Sequence, residues 1–224
     1  MRTADFLEII KKNLPKLKEM LNEKLADPEV RRNFNYKSFG VDIEPLAVKS
    51  IIDLCEIRSG EYRLASSKNA FPDFKFLPSE DPTKIAIDFK AYRSTTCKGS
   101  KANPENDLGT LYSMVQHIED YGVENMYLFF MEYSAVNGEV EQIYFDNLYK
   151  FCKLKEDGTL KYRLKDGNLR PRKIRTEEVT VPAGDMFIEG IANTLPTWSE
   201  RRKQSIDEQT CDALLVIERK RRII

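Results

Sequence analysis

Two aspartates and a lysine have the types and the spacing of a metal-dependent hydrolytic centre. Asp73 follows Pro72, and Asp88 and Lys90 come two positions apart further along the chain. Two carboxylates can hold Mg²⁺, a hard cation that takes oxygen ligands. The bound metal lowers the pKa of a water molecule and offsets charge growing on a phosphate. Because a neighbouring lysine can orient that water or stabilise the transition state, the three residues are candidates for phosphodiester hydrolysis.

Further groups around this trio could complete the site. The carbonyl of Phe89, between Asp88 and Lys90, is a candidate third oxygen ligand. A third acid would come from a helix upstream, where Glu44 is the preferred candidate and Asp42 its rival. The alternative is that an exposed strand carries these charges as solvated decoration, because such short patterns are common by chance. Charges placed among the apolar residues of a strand, however, cost stability unless they are paired or bound to metal.

Two predicted strands bring the trio together. Residues 83–93 alternate between two faces with the two-residue period of a β-strand, so Asp88 and Lys90 project from the same face. Residues 71–77 form a second strand, and the proline-rich segment 78–82 between them is a turn. If the two strands form a hairpin, Asp73 lies close to Asp88 at one end of it.

The rest of the pattern places this hairpin in a mixed sheet between helices. Apolar residues at helical spacing predict a helix over residues 4–25, which Pro15 should kink or split. We also predict helices over 45–57 and 110–121, strands at 62–65, 124–133 and 140–145, and a hairpin with Asp166 and Gly167 at its tip. Thr197 and Glu200 have capping-box spacing and are predicted to open the last helix. This order of elements indicates a single α/β domain over residues 1–224.

Composition and charge exclude several classes of protein. The chain has 36 basic and 36 acidic residues, which counts against indiscriminate nucleic-acid binding but not against a local basic cleft. Its four cysteines form no C-x-x-C pair and it has one histidine, so no structural zinc site is expected. The charged N-terminus is unlike a signal peptide, and no apolar run is long enough for a membrane span. We therefore expect a cytoplasmic protein in a reducing environment.

The blocks FPDFKF and KIAIDFKAYR resemble the PD-(D/E)xK nuclease signature and are similar to type II restriction endonucleases of the EcoRV group. A longer similarity to a blunt-cutting type II endonuclease extends from about Gly40 to about Trp198. The resemblance implies a restriction-endonuclease-like core, with a mixed β-sheet flanked by helices. It also implies Mg²⁺-dependent, sequence-specific hydrolysis of both strands of double-stranded DNA, giving blunt ends with 5′-phosphates. Asp73 and Asp88 would then be metal ligands and Lys90 the catalytic lysine.

The same resemblance leaves the third acid open and adds one partner. The spacing to the Pro72–Asp73 pair favours Glu44, whereas an alignment through the block GVDIE favours Asp42. A restriction enzyme of this type implies a cognate DNA methyltransferase in the same system, without direct contact between the two proteins.

Two polar stretches are candidates for DNA contacts. The first, which follows the predicted catalytic strand, offers lysines for phosphates and amides for base edges, and its candidates are Arg93, Lys98, Lys101, Asn103 and Asn106. The second is a basic cluster suited to phosphates, formed by Arg170, Arg172, Lys173 and Arg175. For each stretch a plain solvated surface is the alternative. His117 lies in the middle of a predicted helix and is expected to be structural.

Cutting both strands of a symmetric site favours a two-fold homodimer, in which each subunit supplies one active site. Residues 1–40, with their amphipathic helix, are the candidate dimerisation segment, and residues 41–224 form the catalytic core and the DNA-binding elements. Two alternatives stay open. One is a DNA-repair or junction-resolving nuclease with the same metal site, and the other is a non-catalytic DNA-binding protein with an inert acidic patch.

Overall fold

A five-stranded sheet forms the centre of the protein. The structure is a computed structural model. The structure describes residues 1–33, 39–66, 70–79, 81–94, 107–134 and 137–221, with the backbone alone at 31–33, 39–41 and 212–221. The strands lie in the order β1 (Tyr62–Leu64), β2 (Phe74–Phe76), β3 (Ile85–Arg93), β4 (Met126–Ser134) and β5 (Glu139–Asn147). β3 and β4 run parallel, and the other neighbouring pairs run antiparallel.

Helices cover both faces of this sheet. In the described residues they are α1 (Thr3–Lys12), α2 (Leu14–Ala26), α3 (Pro28–Asn33), α4 (Phe39–Cys55), α5 (Leu111–Tyr121) and α6 (Gly184–Arg221). α5 lies in the connection between β3 and β4, because parallel strands need a crossover to return the chain to the same end of the sheet. The predicted class, a mixed sheet flanked by helices, is therefore confirmed.

Each face of the sheet has its own apolar core. Ile87 and Phe89 of β3 project into a core shared with α1, α2 and α4. Leu128 and Phe130 of β4 project into a second core with α5, α6 and the segment 148–171. β4 is buried along its whole length because both of its faces are covered, as its continuous apolar run predicted. Asp88 and Lys90, which alternate with Ile87 and Phe89, therefore point to the face that α5 covers.

The N-terminal helices are an integral part of the fold. α1 and α2 are separated at Asn13, just before Pro15, as predicted. The side-chain amide of Asn22 in α2 exchanges two hydrogen bonds with the backbone of Val140, at 3.0 and 2.8 Å, and so covers the edge strand β5. The apolar stripes of both helices are buried in this chain's own core. Dimerisation through residues 1–40 therefore stays a prediction that depends on the polar faces of these helices.

Two helices begin earlier than the sequence predicted. α4 begins at Phe39 and contains Pro45. Proline can adopt a helical φ, although it lacks the N–H that would donate to the carbonyl four residues earlier and its ring crowds that carbonyl. α6 begins at Gly184 and not at Thr197. The Thr197 hydroxyl donates to the carbonyl of Asn193, four positions earlier, at 3.1 Å, so it does not cap a helix start. Although α6 is long, the described part of the chain contains no helix that is both long and apolar enough to cross a membrane.

The predicted hairpin tip at Asp166 and Gly167 is confirmed and supports α6. Gly167 has a φ of +69°, which favours glycine, and a Cβ there would lie 3.0 Å from the ring of Trp198. The indole N–H of Trp198 donates to the carbonyl of Leu164 at 2.9 Å. α6 is thereby attached to the hairpin, which in turn borders the start of α5.

Candidate active site

The hairpin of β2 and β3 places the carboxyl groups of Asp73 and Asp88 side by side. Phe74 pairs with Ile87 in this antiparallel ladder, so the next position of the register sets Asp73 opposite Asp88. Oδ2 of Asp73 accepts a hydrogen bond from the backbone N–H of Phe89 at 2.7 Å. Both aspartates are buried, with 8% and 5% of their surfaces exposed. The two acids thus meet at the end of the hairpin, as the strand pattern predicted.

Lys90 projects from the same face of β3 as Asp88. Its Nζ lies 2.6 Å from Oδ2 of Asp88, and 27% of its side chain is exposed. Burial by itself would lower the pKa of Lys90, but the charges of Asp88, Asp73 and Glu44 outweigh it and raise the pKa. The lysine is therefore a charged cation beside a buried acidic pair.

The two buried carboxyl groups disfavour each other's negative charge. Burial, followed by the charge of Asp88 and a hydrogen bond with it, raises the pKa of Asp73 to about 8 from an ordinary value of 3.8. A divalent cation between the carboxylates would remove this repulsion, and oxygen donors are what Mg²⁺ prefers. No three acidic, cysteine or histidine side chains in the described ranges come close enough to share one ion. The site therefore fits a cation held by two carboxylates, with further ligands from a backbone carbonyl, such as that of Phe89, or from water.

An upstream acid on the helix that packs against the other face of the sheet acts electrostatically on this centre. Glu44 lies on α4, and its charge is among those that raise the pKa of Lys90. Positions 42 and 44 point to roughly opposite sides of α4, because an α-helix has about 3.6 residues per turn. The position of Glu44 near Lys90 therefore favours Glu44 over Asp42 as the third acid, and its part in catalysis stays a prediction.

A cavity of about 340 Å³ lies between the sheet and α5, with the acidic pair in its wall. The sheet contributes Asp73, Asp88 and Lys90 to the lining, and α5 contributes Ser113, Met114 and His117. The cavity is therefore bounded on one side by the candidate metal ligands and on the other by a helix.

His117 is a candidate that the sequence pattern missed. Its ring stacks on the ring of Phe71, with centroids 4.0 Å apart. Burial lowers the pKa of His117, although the charges of Asp120 and Asp88 act in the opposite direction, so the imidazole is neutral at neutral pH. Helical spacing does not distinguish a histidine that faces a core from one that faces a cavity. The available signal was its position in the first helix after the candidate catalytic strand.

The start of α5 is held firmly against the neighbouring hairpin. The side-chain oxygen of Thr110 accepts a hydrogen bond from the N–H of Ser113 at 3.1 Å and caps the helix. Gly109 has a φ of +110°, which favours glycine, and a Cβ there would lie 2.6 Å from the methyl group at the end of the Met114 side chain. Backbone hydrogen bonds at 3.0 and 2.9 Å join residues 108 and 109 to Leu169. This wall of the cavity is therefore rigid.

The predicted basic cluster at 170–175 is largely engaged within the chain. Arg172 donates to the backbone carbonyl of Glu177 at 2.6 Å, and Arg175 forms an ion pair with the buried Glu132 at 2.7 Å. Lys173 has an exposed side chain. Phosphate binding by this cluster stays a prediction, and Lys173 is the member best placed for it.

Most of the segment predicted to read base edges lies outside the described residues, and this applies to Lys98, Lys101, Asn103 and Asn106. Both of its ends are described. Arg93 closes β3 and is partly buried, and Asp107 forms ion pairs with Arg163 at 2.8 Å and with the buried Arg170 at 3.1 Å. Arg170 therefore helps to hold the end of this segment at the cavity, and its phosphate contact stays a prediction.

Comparisons with known proteins agree with this fold. The NlaIV restriction endonuclease has a similar solved structure, with a TM-score of 0.55 and 11% sequence identity over 79% of this chain and 76% of that chain. No curated protein sequence matches the chain. Residues 37–160, which include β1 to β5, match the family model of the restriction endonuclease EcoRV. Because that match covers more than half of the 224 residues, the chain belongs to the EcoRV family of type II restriction endonucleases, site-specific deoxyribonucleases of the PD-(D/E)xK fold.

Proposed function

We propose that this restriction endonuclease hydrolyses both strands of double-stranded DNA in a Mg²⁺-dependent reaction centred on Asp73, Asp88 and Lys90. The observation that carries the proposal is the buried pair of aspartates, with the Lys90 ammonium 2.6 Å from one of them. Burial removes hydration from each charge, so two acids kept together in this way require a compensating partner. The expected products are blunt ends that carry 5′-phosphates.

Each residue of the centre has a separate task. Asp73 and Asp88 hold the metal, with the carbonyl of Phe89 as a further oxygen ligand, and the N–H of Phe89 orients the Asp73 carboxylate at 2.7 Å. Bound Mg²⁺ supplies an acidified water and positive charge against the phosphate. Lys90 faces the same cavity and stabilises the charge that develops on the phosphate oxygens. Glu44, as the third acid, keeps Lys90 charged and in position.

Duplex DNA binding depends on local cations, because the chain has no net charge. We assign phosphate contacts to Arg93, Lys98, Lys101 and Lys173, with Arg170, Arg172 and Arg175 supporting that surface from within the fold. Asn103 and Asn106 are assigned to base edges, since side-chain amides match their donor and acceptor pattern. This division predicts that substitutions at the lysines weaken binding to all sequences, whereas those at the asparagines alter the choice of site.

A homodimer supplies one centre for each strand. Residues 1–40 contribute to its interface through the polar faces of α1 and α2, since their apolar faces are buried within the chain. Light scattering at micromolar concentration, with and without DNA, is expected to give the mass of a dimer, and a monomer in both conditions would contradict this part. A cognate methyltransferase would protect the same DNA site without contacting the endonuclease.

Plasmid digestion tests the reaction class directly. The purified protein with Mg²⁺ is expected to give discrete bands, and sequencing of the fragment ends reports the recognition site, the cut position and the end chemistry together. Absence of cleavage with Mg²⁺ or Mn²⁺ on varied DNA would overturn the proposal. Preferential cleavage of branched DNA would instead identify a junction-resolving nuclease.

A matched pair of lysine variants tests the assignment of Lys90. Lys90→Ala is expected to slow cleavage by orders of magnitude and to retain DNA binding, because it removes transition-state stabilisation and little ground-state contact. Lys84→Ala, at an exposed lysine just before β3, is the control and should cleave normally. Equal losses of binding and cleavage in Lys90→Ala would show that the assigned role is wrong.

A further inference from the structure

We propose that His117 contacts the substrate: its imidazole, across the cavity from the Asp73–Asp88 pair, donates a hydrogen bond to a non-bridging oxygen of the phosphate that is cleaved. The inference rests on the proposed function, because it needs the scissile phosphate in this cavity. It adds a residue from α5 to a centre otherwise built from β2, β3 and α4.

The first support is the position of the ring. His117 lines the same 340 Å³ cavity as Asp73, Asp88 and Lys90. Its stacking on Phe71, at 4.0 Å between centroids, ties the ring to the segment that leads into Asp73. The segment from Phe71 to Asp73 therefore helps to position both the imidazole and the acidic pair.

The second support is the rigidity of the helix that carries the ring. Ser113, Met114 and His117 line the cavity together, as positions three and four apart on one helix face should. Tyr121, one turn further along α5, makes an edge contact with Phe71 at 6.1 Å. Because this contact and the cap at the start of α5 fix the helix, the His117 ring is preorganised and does not have to be ordered when DNA binds.

The third support is the inventory of side-chain donors around the cavity. Three side chains among the described residues that line the cavity can donate hydrogen bonds, namely those of Lys90, Ser113 and His117. Lys90 pairs with Asp88, and the Ser113 hydroxyl donates to the carbonyl of Thr110 at 2.9 Å. Within the described part of the chain neither ring nitrogen of His117 has a hydrogen-bond partner. His117 is thus a second donor, beside the Lys90 ammonium, that is available to an incoming phosphate oxygen.

Metal ligation is the other chemistry that a histidine could serve here. The described side chains include no group of three acidic, cysteine or histidine residues that could hold one ion, so His117 does not complete a ligand set with the two aspartates. A neutral imidazole is also a softer ligand than the oxygens that Mg²⁺ prefers. The placement across the cavity therefore fits a phosphate contact.

Two substitutions of His117 separate the hydrogen bond from the packing of the ring. His117→Phe keeps a ring on Phe71 and removes both nitrogens, whereas His117→Gln keeps a side-chain donor. Gln116→Ala changes an exposed neighbour whose side-chain amide donates to Glu119 and Asp120 on the same helix, and it serves as the control. Each variant is assayed under single-turnover conditions with Mg²⁺, on a short duplex that contains the mapped site, and for binding to the same duplex without metal.

His117→Phe is expected to slow the cleavage step about 100-fold, as loss of one preorganised donor does, with little change in binding or melting temperature. His117→Gln should recover part of the rate, and Gln116→Ala should match the unmodified protein. Wild-type rates in both His117 variants, while Asp88→Ala is inactive, would overturn the inference and leave the proposed function standing. Equal rate losses in both variants together with a lowered melting temperature would show a merely structural role and also overturn it.

A substrate with one non-bridging oxygen replaced by sulfur gives an independent test. Sulfur accepts hydrogen bonds weakly, so one of the two phosphorothioate isomers should slow the unmodified enzyme and have a smaller effect on His117→Phe. If, for both isomers, sulfur slows His117→Phe as much as it slows the unmodified enzyme, the contact between His117 and the phosphate oxygen is contradicted. If the wild-type protein cuts no DNA, the proposed function fails and this inference fails with it.

Discussion

Replacing Asp73 with asparagine removes one of the two buried carboxylates and keeps the shape of the side chain. The Oδ1 atom of asparagine can still accept the hydrogen bond from the Phe89 N–H, which spans 2.7 Å in the native chain. We expect Asp73→Asn to make the metal-free protein more stable than the native one at pH 8, because it removes a buried charge and its repulsion with Asp88. Such a gain would be unusual, since most substitutions of buried residues destabilise a fold.

The size and the sign of this effect follow from the raised pKa of Asp73. The pKa is about 8 in the fold and 3.8 as the ordinary value, so between these pH values the folded chain keeps a proton that the unfolded chain has lost. The free energy of unfolding of the native protein therefore falls as pH rises through this window and levels off above about pH 8. One pKa unit corresponds to about 1.4 kcal/mol, so the loss is at most about 6 kcal/mol. Asparagine does not titrate, and the advantage of the variant should disappear near pH 4.

Urea unfolding at several pH values between 4 and 8.5, in the presence of a chelator, measures this difference. The single tryptophan, Trp198 of α6, packs against the hairpin at Gly167 and provides the fluorescence signal. Asp207→Asn, at an exposed acid of α6, is the control and should follow the native curve. Added Mg²⁺ should stabilise the native protein and have much less effect on Asp73→Asn, because a ligand stabilises only a state that binds it. A native stability that stays level between pH 5 and 8, or a variant that is less stable at pH 8, would refute the reasoning.

Four further substitutions test how the fold positions the site and the surface beside it. Phe6→Ala should cost about 3–5 kcal/mol in urea unfolding, since Phe6 is fully buried and stacks on β2; a cost below 1 kcal/mol would contradict that packing. Thr110→Ala should cost about 1 kcal/mol by removing the cap of α5, and an unchanged unfolding midpoint would contradict the cap. Arg175→Ala should cost about 1–3 kcal/mol because it leaves Glu132 buried without its ion pair. Lys173→Ala, at an exposed lysine, should leave stability unchanged and weaken DNA binding. Equal free energies of unfolding in the two variants would contradict this division of roles.

The catalytic hairpin could be predicted from the sequence because its signals are local. The alternation over residues 83–93 determines which side chains share a face, so the sequence alone predicts that Asp88 and Lys90 lie on one side of β3. A short turn between two strands then places Asp73 opposite Asp88. The apolar run of β4 likewise indicated a strand covered on both faces.

Other features depend on contacts between distant parts of the chain. The start of α6 at Gly184 follows from packing of Phe187 and Ile191 in the second core, which overrides the capping signal at Thr197. The arginines of the basic cluster look alike in sequence, and only the fold sets Arg175 beside the buried Glu132.

Local periodicity therefore determined where the strands lie and which acidic and basic side chains share a face of each strand. Both depend on the two-residue repeat of a β-strand. The tertiary structure alone decided that the charge of Glu44 on α4 acts on Lys90 and that His117 lines the same cavity as the acidic pair. The physical reason is that both placements come from helices whose docking depends on side-chain packing across the whole sheet, which no single stretch of sequence encodes.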